Sequence, residues 1–156
     1  MVDENVGKLT KTLRMLGFDT VFFRGENDSH LLRIALAEIR IVVTRDTHIL
    51  ERQVVTSGKI KAILIESENV IEQTQQIIAG LDLSTRINPF TRCLEDNQIL
   101  IHRTPADVQG KVPPYVWQTQ PEYVECPNCH RIYWKGTHWQ AMTHKLANIT
   151  QNPGDN

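Results

Sequence analysis

Two sets of residues in this sequence could hold metal ions, and their donor atoms ask for different metals. Asp3, Asp28 and Asp46 offer only carboxylate oxygen. Hard divalent cations such as Mg²⁺ and Mn²⁺ prefer such ligands and keep several waters. Cys126-Pro-Asn-Cys129 places two thiols two residues apart, and Cys93-Leu-Glu-Asp96 repeats the spacing with a carboxylate in the last place. Thiolates at that spacing bind one tetrahedral Zn²⁺ from a tight turn, and carboxylate oxygen also ligates zinc. The expected zinc ligands are Cys93, Asp96, Cys126 and Cys129. His130 and His138 are alternative nitrogen donors, and a ribbon that keeps its fold by packing without metal is the third possibility.

The aspartates matter only if the chain gathers them. Asp3 ends a short first strand, Asp46 follows a β-branched run as Thr-Arg-Asp, and Asp28 opens a helical pattern. In a parallel sheet, strand ends and helix starts meet on one edge, where ligands bind. Three carboxylates crowded there repel strongly unless cations neutralise them. One or two such ions could activate water for in-line cleavage of a phosphodiester. Taken singly, an aspartate after a strand is more often a helix N-cap or a turn residue. Lys8 and Arg14 lie at helical spacing after Asp3, and Arg45 precedes Asp46. These three are candidate phosphate contacts; Lys11 fits a solvated helix face as well.

The elements that would position these groups follow from hydrophobic period. Val6, Leu9, Leu13 and Leu16 have helical spacing and stop at Gly17. Residues 20–23, 39–44 and 61–66 read as strands. Helical patterns begin at Asp28, taken as the N-cap, run through Ile49, Leu50 and Val54 to near Gly58, and return over residues 70–81. Strand and helix thus alternate, which predicts an α/β fold with a parallel sheet flanked by helices. After Leu83 the strands shorten and prolines accumulate. We expect one domain over 1–85, a small β-rich module over 86–148, and a disordered polar tail over 149–156. Tyr133 and Trp134 read as the small core of that module, while Trp139 could pack or stack on a base.

Composition sets the outer limits. With 156 residues, 40% hydrophobic and 22% charged, a core can form without disulfides. A formal net charge of −1 argues against a bulk-basic nucleic-acid binder, although bound cations make a site locally positive. No membrane span or signal peptide is expected. The odd count of three cysteines points to a reducing compartment, read as the cytoplasm. Nothing in the sequence supports an oligomer.

Several motifs occur together: VDENVGKLTKTLRMLGFDT, the helix start NDSHLLRIA, IRIVVTRDTHILERQ, FTRC, VPPYV and CPNCHRIYWKGTHW. Their order resembles the Mut-seven C-terminal ribonuclease domain family over about residues 2–146. The resemblance implies a PIN-like nuclease domain followed by a zinc-ribbon-like module. It implies a metal-dependent ribonuclease acting on RNA, single-stranded by expectation, with a cluster of Asp3, Asp28 and Asp46 holding Mg or Mn. It also implies zinc at Cys93, Cys126 and Cys129. His30 stands where the family carries an acid, Asp96 where it carries a cysteine, and His130 where it carries a glycine. The competing expectations are a non-catalytic RNA-binding module with the same fold, and a structural module of a larger complex.

Overall fold

A computed structural model describes residues 1–25, 27–137, 139–141, 143, 144 and 147. Glu26, His138 and the tail 149–156 lie outside the described residues. The chain divides into two compact units. The first comprises Met1–Leu13 and Thr20–Leu83, and the second comprises Arg14–Asp19 and the described residues from Ser84 onward. Residues 14–19, expected in the first domain, therefore belong with the second unit.

The first unit opens with a single 3₁₀ turn at Glu4–Val6 and α1 (Lys8–Met15), whose last two residues belong to the second unit. α2 (Asp28–Ala37), β1 (Val42–Thr44), α3 (Thr47–Glu51), α4 (Gln53–Thr56), β2 (Ala62–Leu64) and α5 (Val70–Gly80) follow. β1 and β2 pair in parallel, Val43 opposite Ile63. Val2 bridges in parallel to Val43 on one side and to Phe22 on the other. Backbone bonds Val43 N to Met1 O and Phe23 N to Val2 O tie these segments together. The result is a small parallel arrangement in the order Phe22, Val2, β1, β2. β1 is buried along its whole length, as expected for a parallel strand covered on both faces. Leu31, Leu32 and Ala35 of α2 pack with Val42, Ile49 and Ile60 in the core.

Three local expectations are corrected. Asp28 is not the cap of α2; Asn27 is, its Oδ1 accepting from His30 N at 3.1 Å. The helix expected toward Gly58 is two short helices, because Arg52 takes an extended conformation between them. The segment at residues 20–23 contributes one bridge, at Phe22, and no longer strand.

In the second unit, β3 (Ile101–Arg103), α6 (Pro105–Val108), α7 (Pro114–Thr119), β4 (Tyr123–Glu125) and β5 (Ile132–Trp134) follow a 3₁₀ turn at Ser84–Arg86. The strands form an antiparallel sheet in the order β3-β4-β5. Val108, Val112, Val116 and Tyr123 make a small core, with Ile132 and Trp134 packed against it. The buried Tyr123 hydroxyl donates to Val116 O at 2.9 Å, which removes the cost of burying an unpaired phenol. Gly17 has φ +91, and a Cβ there would collide with the Asn88 carbonyl. Among the described residues no helix is long and apolar enough to cross a membrane.

Candidate metal centres

The first centre lies at the carboxyl ends of Val2 and β1. Asp3 is 9% exposed. Its Oδ1 accepts from Glu4 N, and its Oδ2 accepts from Asn5 Nδ2 and from the Thr44 hydroxyl, each at 2.7 Å. Thr44 Oγ1 in turn accepts from Asp46 N at 3.0 Å. A single buried hydroxyl thus links the backbone of one aspartate to the carboxylate of the other. Asn5 reinforces the link, since its Oδ1 accepts the Arg45 amide at 3.0 Å. Asp46 caps α3 through Oδ1, which accepts from His48 N, so the local role and a site role coexist. Asp28 stands on the first turn of α2.

Asp3, Asp28 and Asp46 are not a group whose donor atoms all lie within 4.8 Å of one another. Among the described residues, the group of acidic, cysteine or histidine side chains whose donor atoms converge is Cys93, Asp96, Cys126 and Cys129. The donor chemistry at Asp3, Asp28 and Asp46 still suits hard cations. Such ions are commonly held by one or two carboxylates, with water and phosphate oxygens filling the remaining positions.

The three candidate phosphate contacts fall in different surroundings. Lys8 and Arg45 are exposed and line a surface cavity with Asn5. Arg14 is 8% exposed, and its guanidinium donates to the Leu94 and Glu95 carbonyls at 2.8 and 2.6 Å. Its expected role as a phosphate contact is therefore corrected: its donors are turned inward to a loop of the second unit. Thr44, Asn5 and Arg24 escaped the sequence reading. The spacing Asp3-x-Asn5 and Thr44-x-Asp46 was the available signal for the first two.

The second centre is built by two turns with the same backbone. Asn97 N bonds Cys93 O and Cys93 N bonds Gln98 O; His130 N bonds Cys126 O and Cys126 N bonds Arg131 O, all at 2.8–3.0 Å. Each turn leaves through a left-handed residue, Asn97 at φ 63 and His130 at φ 58. Together they bring one atom each of Cys93, Asp96, Cys126 and Cys129 within 4.8 Å of one another. Cys93 Sγ and Cys129 Sγ are 3.7 Å apart. Two sulfurs of a tetrahedral zinc site, at about 2.3 Å from the metal, stand about 3.8 Å apart. Cys126 Sγ to Asp96 Oδ2 is 3.4 Å, close to the roughly 3.6 Å of a sulfur–oxygen edge in such a site. The donor set and its spacing fit zinc. His130 is turned away, with Nδ1 3.2 Å from Glu125 Oε1.

The ionisable groups of this centre are displaced in different directions. Burial pushes the Cys129 thiol up to about 12. Burial also raises Cys93, but hydrogen bonds from Tyr133, the Asp96 and Glu95 amides and Cys126 outweigh it and bring that thiol below its ordinary value. Hydrogen bonds from Cys129 and Asn128 hold the Asp96 carboxyl low. Tyr133 was expected only in the core; its hydroxyl lies 3.2 Å from Cys93 Sγ. Arg14 and Arg131 add positive charge near Asp96. Trp139 packs edge-on against Phe90 at 4.9 Å.

A family model described as the Mut7-C RNAse domain matches residues 1–146. No curated protein and no solved structure matches the chain.

Proposed function

Because the chain belongs to the Mut7-C RNase domain family, we propose that it is a metal-dependent ribonuclease hydrolysing phosphodiester bonds of single-stranded RNA. The family match carries this reading, and the link from Asp46 through Thr44 to Asp3 supports where the chemistry occurs. Asp3, Asp28 and Asp46 would hold Mg or Mn, on a PIN-like sheet edge. Such an ion, when bound, supplies an activated water at neutral pH and neutralises charge on the departing oxygen.

The chain's own residues set the stage. Three hydrogen bonds fix the Asp3 carboxylate in one orientation, so little reorganisation is needed when it engages a charged ligand. Asp46 is oriented by the His48 amide of α3. Lys8 and Arg45 would orient the RNA backbone by charge-assisted bonds to phosphate oxygen. Cys93, Asp96, Cys126 and Cys129 would hold zinc. Four protein ligands make a closed site, whose role is structural and whose binding energy is folding energy. Free thiols of this kind suit a reducing, cytoplasmic setting.

A second reading is a non-catalytic RNA-binding module, and one observation favours it: the donor atoms of the three aspartates do not all lie within 4.8 Å of one another. The deciding experiment is cleavage of labelled single-stranded RNA with added Mn²⁺ or Mg²⁺, by wild type and Asp46→Asn. Asparagine caps a helix as well as aspartate does, so the variant keeps α3. Cleavage that requires the metal and is lost in the variant supports the ribonuclease. Binding without cleavage by either protein, under either metal, supports the module.

A further inference from the structure

The edge that carries Asp3 continues into a surface cavity of about 670 Å³, formed wholly within the first unit. Lys8, Arg24 and Arg45 line it, opposed by Glu4 and Glu68. Asn5 is its shared wall with the aspartates. The same side chain that lines the cavity donates to Asp3 Oδ2 and accepts the Arg45 amide. Whatever fills this space therefore sits one side chain away from the Asp3 carboxylate.

Arg24 is presented rather than consumed. Its guanidinium lies over the Phe22 ring, 5.2 Å from the centroid. The ring is itself seated against Gly7, where a Cβ would come within 2.8 Å of it. Stacking of this kind holds the guanidinium plane in place and leaves its N–H edges to donate. Among the described residues no carboxylate pairs with Arg24 or Lys8. Arg45 does have a partner: Nη1 donates to Glu68 Oε1 at 3.1 Å, but the Glu68 side chain is 84% exposed. An ion pair that open to water contributes little and exchanges readily. A phosphate, which a guanidinium grips in bidentate fashion, is the better partner.

We propose that this cavity is a subsite for the phosphodiester flanking the one that is cleaved, gripped by Arg24, Lys8 and Arg45. Glu68 occupies Arg45 until the phosphate replaces it. The proposal rests on RNA being the substrate, and it adds the element that fixes the strand's register against Asp3.

The test is binding of a short fluorescein-labelled oligouridylate without added Mg²⁺ or Mn²⁺, measured from about 50 to 200 mM salt. Each phosphate contact in a single strand contributes about 0.7 to the slope of log affinity against log salt. Arg24→Ala should lower that slope by about 0.7 and weaken binding several-fold at the lower salt. Glu68→Gln should tighten binding by freeing Arg45. Lys59→Ala, before the amino end of β2, should leave the slope at the wild-type value. An Arg24→Ala slope equal to wild type, an equal fall in Lys59→Ala, or no binding even at low salt overturns the subsite. The two readings fail separately. A protein that never cleaves but shows the Arg24-dependent slope keeps the subsite and loses the ribonuclease. One that cleaves with an unchanged Arg24→Ala slope does the reverse.

Discussion

The Thr44 hydroxyl donates to the Asp3 carboxylate at 2.7 Å across forty-one residues of sequence. Thr44 is fully buried, and its oxygen also accepts the Asp46 amide and Asn5 Nδ2. Thr44→Val keeps the shape and removes all three bonds. It should destabilise the protein by about 1–3 kcal/mol, because the Asp46 amide loses its acceptor. RNA cleavage should fall roughly 10–100-fold, the usual cost of losing a group that orients a metal ligand. Thr44→Ser should restore both. Urea unfolding and cleavage rates measured together check this; a Val variant with wild-type activity would remove Thr44 from the site.

Zinc binding should release protons. The Cys129 thiol, pushed up to about 12 by burial, is protonated at neutral pH in the metal-free protein, whereas zinc takes the thiolate. Calorimetry of zinc binding in two buffers of different protonation enthalpy should report at least one proton released per zinc near pH 7. Affinity should rise about tenfold per pH unit for each proton. Heats independent of buffer, with affinity flat in pH, would exclude Cys129 as a ligand.

Gly17→Ala should destabilise by at least about 2 kcal/mol. The position combines φ +91 with a Cβ that would strike the Asn88 carbonyl, and backbone has less room to yield than a side chain. Denaturant melts of the zinc-loaded protein measure the loss; an unchanged midpoint would show that the backbone relaxes freely here.

The start of α6 should carry an acid-sensitive share of stability. The Thr104 hydroxyl and amide donate to Asp107 Oδ2 and hold the Asp107 carboxyl below the ordinary range. Folding therefore favours the charged form. The gain is complete above the unfolded value of about 3.9 and is lost as pH falls through the lower folded value. Asp107→Asn should lower Tm at pH 7 and converge on wild type in stronger acid. A Tm gap constant with pH would show that charge plays no part.

Much of this arrangement is legible in the chain. The β-branched run before Asp46 reads as a strand because β1 is buried on both faces. The spacing of Cys93 to Asp96 picks out the fourth member of the cluster because the turn geometry is local. Long-range burial is not legible. Arg14 has the same helical spacing as Lys8 and Lys11, yet only the fold reveals that its guanidinium is spent on Leu94 and Glu95. The cap of α2 passed from Asp28 to Asn27 by one residue, a distinction that depends on backbone angles. Arg24 carried no periodic signal; its importance comes from the ring of Phe22 beneath it.

The matched turns at Cys93 and Cys126 each close through a pair of backbone bonds and end on residues with positive φ. The scaffold of the cage is thus written in main chain, while its chemistry is written in four interchangeable tips. Sulfur at Asp96, or oxygen at a cysteine, would retune metal preference by a point substitution without rebuilding either loop.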